Sequence, residues 1–193
     1  MYDKFIERYG DSRLDSGLGL VDFNLEQSEQ LKSFVKNVGA GIFLNGFLSV
    51  LSKREQVVCN EWEEWLPQGS KLFASSVFGL LLFTSGEDLW LVDSQYGQII
   101  ESDFTLEDFF NDTATTEALE MLRFDLFEYF TNLGGRLGED EFLTPAPMCA
   151  LGGDWDISTL IKMKSANYVA FTGQLFLKGS ETPAEIFYLN DEK

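Results

Sequence analysis

Residues 72–102, LFASSVFGLLLFTSGEDLWLVDSQYGQIIES, decide the fold. Positions 72–78 are apolar apart from two serines, Gly79 interrupts them, and 80–83 resume the run. Ser85-Gly86-Glu87-Asp88 is turn-forming, 89–92 make the next run, Tyr96-Gly97 the next turn, and Ile99-Ile100 a last short one. Short apolar runs between Gly, Asp and Ser turns read as adjacent antiparallel strands, whereas a helix needs a longer stretch without such signals. The expectation is an α+β fold with a central antiparallel sheet of short strands flanked by helices. The stretch holds no nucleophile–base pair, ligand cluster or phosphate loop.

The chain has 193 residues, 45% of them hydrophobic and 15% aromatic, enough to bury a sizeable core. Its formal net charge is -18, from 32 acidic and 14 basic residues. That balance disfavours nucleic acid as a direct partner, because phosphates are neutralised by Lys and Arg. It disfavours an anionic membrane surface too, and suits a basic protein partner or plain solubility. No histidine is present, which removes the commonest general base, the Ser-His-Asp triad and most zinc enzymes. Cys59 and Cys149 are too few for a disulfide scaffold and read as ordinary thiols of a reducing compartment. No signal peptide or membrane span is visible, so the expected location is the cytoplasm. No cofactor and no metal site are expected.

Outside the central stretch, Tyr2, Phe5, Ile6 and Tyr9 share one face of a short N-terminal helix. The 11–24 segment is turn-rich. Leu31, Phe34, Val35 and Val38 mark a helix over 26–37, ended by Gly39. In 39–51, GAGIFLNGFLSVL, the glycines suit two short strands around Asn45-Gly46 and lack the spacing of a phosphate loop. Ser52 with Glu55 three positions on predicts a capping box opening a helix to Leu66, with Val58, Trp62 and Trp65 on its buried side. Thr105 with Asp108 predicts another helix start, over 106–111. A single helix is predicted from 115 to 133, with Leu119, Leu122, Leu126, Tyr129 and Leu133 as its core stripe. Ser165 is expected to open a helix through Phe176.

Between Glu101 and Glu141 stand twelve acidic residues against Arg123 and Arg136 alone. Such concentration costs folding energy through self-repulsion and generates a field that attracts a basic partner. The binding residues expected from this are Asp103, Glu107, Asp108, Glu117, Glu120 and Glu128, with Trp90 and Tyr96 as aromatic anchors. An enzyme working with carboxylates alone would have Asp88, Asp93, Asp154 and Asp156 to draw on, across a cleft that sequence does not display.

Three stretches carry a family likeness: FIERYG at 5–10; GIFLNGFLSV, a helix ending EEWL and the central strands; and LTPAPMCALGG followed by LIKMKSANYVAFTGQL. Together they resemble the bacterial GAD-like family joined to the C-terminal domain of type VI secretion DNase-immunity proteins. The likeness spans most of residues 1–176. It implies a GAD-like α+β domain over 1–133 and an immunity-type segment over 134–193 packed on the same globule. It also implies a cytoplasmic protein that binds and neutralises a cognate secreted toxin, a nuclease, with no catalytic residue of its own. The chain departs from the pattern at Leu80, where an acidic residue is frequent, and in the acidic, glycine-rich 134–140 segment. The alternative from composition is a non-catalytic regulatory or scaffolding module for another basic protein.

Overall fold

The computed structural model describes residues 2–9, 28–57, 59–179 and 186–188. Helices α1 (Asp3–Tyr9) and α2 (Glu29–Asn37) precede the hairpin of β1 (Gly41–Phe43) and β2 (Leu48–Val50). Helix α3 (Asn60–Glu63) leads into β3 (Lys71–Ser76), β4 (Leu80–Ser85), β5 (Asp88–Asp93) and β6 (Gln98–Ser102). Helices α4 (Leu106–Thr113), α5 (Thr116–Met121) and α6 (Phe124–Asn132) follow. Then come β7 (Glu141–Pro145), β8 (Leu160–Lys164), α7 (Ser165–Gly179) and β9 (Ile186–Tyr188). The turn-rich 11–24 segment and Val58 lie outside the described residues.

Strands β1 to β6 lie side by side in chain order, each antiparallel to the next, as the turn spacing predicts. β9 joins the β6 edge in parallel, and β7 with β8 forms a separate antiparallel ribbon. The runs LLLF and LWLV are continuously apolar because the sheet is covered on both faces. Leu82 and Leu89 enter one core; Leu81, Phe83, Trp90 and Val92 enter the other.

The first core is roofed by α1, α2 and α4 to α6, and Phe5 is its hub, with ring centroids 4.4–5.6 Å from Tyr9, Phe34, Phe43 and Phe110. The second lies under α3, α7 and β7: Phe142 stacks on Tyr168 at 4.5 Å, and Trp62 donates to Thr172 Oγ1 at 3.3 Å. Residues beyond 134 serve both cores, Leu143 in the first and Phe142, Met148, Tyr168 and Val169 in the second.

Because each connection of the meander reverses direction, its loops alternate between two ends. The β1–β2 loop, the β3–β4 turn and the β5–β6 turn share one end, tied by Val77 N–H to Phe47 O (2.7 Å) and Ser94 N–H to Gly79 O (3.1 Å). The β4–β5 turn and the exit of β6 share the other, since Ser102 pairs with Leu89.

Two predicted helices are corrected. Ser52 and Glu55 do bond, Ser52 N–H donating to Glu55 Oε2 at 2.9 Å, but 52–55 is a turn, and among the described residues between Ser52 and Leu66 the only helix is the four-residue α3. Glu55 is buried and takes Ser49 Oγ at 2.8 Å and Ser75 Oγ at 2.6 Å, so the sheet, not a helix terminus, claims the carboxylate. The 115–133 helix is two helices, because Arg123 adopts a left-handed conformation (φ 61°) between α5 and α6. That joint resets the helical phase. Leu119 is buried as predicted, but past the joint Phe127 is the buried residue, while Tyr129 and Leu133 face solvent.

Candidate interaction surface

The acidic stretch divides into two electrostatic classes. Glu139 pairs with Lys53 at 2.7 Å, Asp140 with Lys164 at 2.8 Å, and Glu141 with Lys164 at 3.2 Å. The hydrogen bond from Lys164 holds the Asp140 carboxyl below its ordinary range, and the Gly138 N–H, helped by Lys164, does the same for Glu141. Among the described residues, Asp103, Asp108, Asp112, Glu117, Glu120, Asp125 and Glu128 are exposed and form no ion pair. Glu117 with Glu120, and Asp125 with Glu128, are like charges three positions apart on one helix, an arrangement that weakens the helix.

The structure separates the expected binding residues. Asp103, Glu107 and Asp108 stand at the start of α4, where Thr105 caps the helix and donates to Asp108 Oδ2 at 2.6 Å. This is the β4–β5 turn end, and Gln30 Oε1 accepts from Leu106 N at 2.6 Å there. Tyr96, in the β5–β6 turn, is at the opposite end and 47% exposed. Glu128 is also at that opposite end, lining an open groove with Leu44, Asn45, Phe124, Phe127, Thr131 and Asn132. Glu117 and Glu120 lie on the outer side of α5, leading to Arg123. Trp90 is 8% exposed and packs in the second core.

Two residues that the charge pattern did not select sit beside Tyr96. Trp155 Nε1 donates to Tyr96 Oη at 3.1 Å, and the Arg123 guanidinium lies over the Trp155 ring, 4.7 Å from its centroid. Trp155 and Phe78 meet in a T-shaped arrangement with ring centroids 5.2 Å apart. Asp93, just before the turn, accepts from Gln95 N at 3.0 Å; burial pushes its carboxyl above the ordinary range despite these bonds and nearby Arg123. Arg123 had a signal in the sequence, being one of two bases among twelve acids. Trp155 had a weaker one, an aromatic between Asp154 and Asp156 in a polar loop.

The carboxylates available for catalysis do not converge as a set. Asp88 and Asp93 terminate opposite ends of β5. Asp154 accepts from Trp155 N at 2.7 Å and Asp156 from Ser158 N at 2.7 Å, each shaping its own loop. Among the described residues no group of three or more Cys, Asp or Glu side chains is placed to hold a metal ion, and no helix is long and apolar enough to cross a membrane.

Comparison with known proteins bears on the segment that carries this surface. Residues 103–176 match the family model described as T6SS immunity protein Tdi1, C-terminal. The matched stretch begins at Asp103, within the first of the two expected segments, and includes α4 to α6, β7, β8, most of α7, Arg123 and Trp155. The fold as a whole is similar to the crystal structure of Atu4351 from Agrobacterium tumefaciens. The TM-score is 0.67 at 14% identity, over 100% of this chain and 94% of that one. No curated protein matches in sequence.

Proposed function

We propose that this chain is a cytoplasmic immunity protein that binds and neutralises a cognate type VI secretion toxin, a DNase, through the acidic surface of α4 to α6. The observation that carries the reading is the match of residues 103–176 to the T6SS immunity family, over the same stretch that holds the unpaired acidic residues. A DNase must present a positive surface to phosphates, and an acidic inhibitor occupies that field and is steered to it. Retaining closely spaced like charges on α5 and α6 costs stability, which favours a use for them beyond solubility. The mechanism is occlusion: the inhibitor covers the surface that DNA would take, and no bond is made or broken.

The test is to identify a secreted nuclease encoded next to this gene and co-express the two; a neighbourhood without one counts against the reading. Cells carrying both are expected to survive with intact chromosomal DNA. Cells dying as fast with this chain as without it would overturn the reading, as would recovery of a housekeeping protein as the sole stoichiometric partner.

A further inference from the structure

We infer that the affinity for the toxin is anchored by Arg123, Trp155 and Tyr96 at the β5–β6 turn end of the sheet, with the acidic residues serving as its rim. This deepens the reading above and rests on it.

Tyr, Trp and Arg are the residue types that dominate binding energy at protein interfaces, through large rigid area and directional polar contacts. Here all three are stacked or bonded to one another while still reaching the surface. Tyr96 is 47% exposed, and Trp155 and Arg123 are partly exposed. The guanidinium over the indole and the indole N–H on the phenol fix the side chains before any partner arrives, so little conformational freedom remains to be lost on binding. Leu151 extends the apolar area: it is 53% exposed, in a turn bonded to the Tyr96 loop through Ala150 N–H to Gln95 O at 3.2 Å.

Backbone strain gathers at the same end. Of the four non-glycine residues with positive φ among the described residues, Leu44 (46°) and Asn45 (57°) are in the β1–β2 loop, and Arg123 (61°) is the joint that carries the guanidinium to Trp155. Conformations of this kind cluster where function requires a particular side-chain placement. The charge around the cluster selects the occupant. Glu120 and Asp125 flank Arg123 in sequence, Asp154 and Asp156 flank Trp155, and all four are exposed. A basic protein surface fits this rim, and an acidic or membrane surface does not.

The test uses the full chain and the catalytically inactivated domain of the nuclease identified in the co-expression experiment, by association and dissociation kinetics. Tyr96→Ala removes an exposed ring. Arg123→Gly removes the guanidinium but suits the left-handed joint, so the fold is kept. Each is expected to speed dissociation about tenfold or more, with the association rate within a factor of about two. Phe171→Ser, an exposed aromatic on α7, is expected to leave both rates unchanged. Binding with unaltered dissociation in both Tyr96→Ala and Arg123→Gly overturns the anchor while leaving the immunity function standing. Absence of binding by the unmodified chain overturns both. Concentration-dependent dimerisation abolished by Tyr96→Ala would instead assign the surface to a second copy of this chain.

Discussion

Ser75 Oγ on β3 donates to Glu55 Oε1 at 2.6 Å, and that bond fastens the 52–55 turn to the middle of the sheet. Ser49 Oγ and Ser52 Oγ, themselves in close contact, and Ser52 N–H hold the other carboxylate oxygen. Burial raises the Glu55 pKa above the ordinary carboxylate value, and neighbouring Arg54 and the hydrogen bonds offset this only in part. Arg54 is buried as well, donating to Gly46 O at 2.9 Å over the Phe142 ring, with burial lowering its pKa to about 10.

The sign of the pH dependence follows. A carboxyl whose folded pKa is raised contributes stability that is fully present below its unfolded pKa and is lost as pH rises through the folded value. The stability of the native chain minus that of Glu55→Gln is therefore expected to fall as pH rises from the ordinary carboxylate range through the raised Glu55 value. Urea denaturation of both proteins across that range measures the difference; parallel curves would contradict the burial argument. Glu55→Ala strands a set of buried donors and is expected to cost about 2–4 kcal/mol near neutral pH.

Gly79, in the β3–β4 turn, has φ 91°, and a Cβ there would lie 1.9 Å from Tyr168 Oη. Tyr168, a fully buried residue of α7, cannot easily withdraw, because its hydroxyl is bonded to Ser94 Oγ at 2.7 Å and Gln95 Nε2 at 2.8 Å. Gly79→Ala therefore combines backbone strain with overpacking and is expected to destabilise by about 2–4 kcal/mol. Adding Tyr168→Phe removes one of the clashing atoms, so the double variant is expected to lose less than the two single effects summed. Denaturation of the four proteins in a double-mutant cycle decides it.

Glu87, in the β4–β5 turn, caps α2 from a distance: Oε1 accepts from Glu29 N at 2.6 Å and Oε2 from Gln30 N at 3.3 Å. Ser28 Oγ supplies the local cap to Leu31 N at 3.2 Å. Glu87→Ala is expected to cost about 1 kcal/mol, and Glu87→Gln less, because one acceptor survives. Amide exchange at residues 29–31 should rise more than exchange in the central strands. Uniform loss across the fold would show that the cap is not local.

The meander was legible in 72–102 because each apolar run ends at a residue whose turn role is intrinsic, Gly79, Gly86 and Gly97 all having positive φ. The two helix errors share a different origin. Ser52 with Glu55 has the spacing of a capping box, but spacing does not reveal that Ser49 and Ser75 will compete for the carboxylate from the sheet. Likewise nothing local to ALEMLRFDLFEYF marks Arg123 as left-handed; the partner ring is at Trp155, distant in sequence. That acidic side chains crowd α4 to α6 was readable from charge alone. The Tyr96–Trp155–Arg123 cluster was not, because it required knowing that Tyr96 and Trp155 meet.

On the proposed function, the acidic residues and the Tyr96–Trp155–Arg123 cluster should respond to different measurements, and stability should move against function. Glu120 is in the last turn of α5, opposed by the helix dipole and three positions from Glu117. Glu128 is three positions from Asp125 in α6 and beyond its first turn. Neutralising Glu120 and Glu128 to Gln relieves both repulsions without removing a favourable charge from a helix start. The double variant is expected to be more stable by about 0.5 kcal/mol at low salt, with the gain shrinking as salt screens it. The same change weakens the field that steers a basic toxin, so association should slow at low salt while dissociation stays near its original rate. Denaturation and binding kinetics at two salt concentrations test both statements together. A more stable protein with an unchanged association rate would leave these two charges as solubilising residues and confine the recognition surface to other parts of the chain.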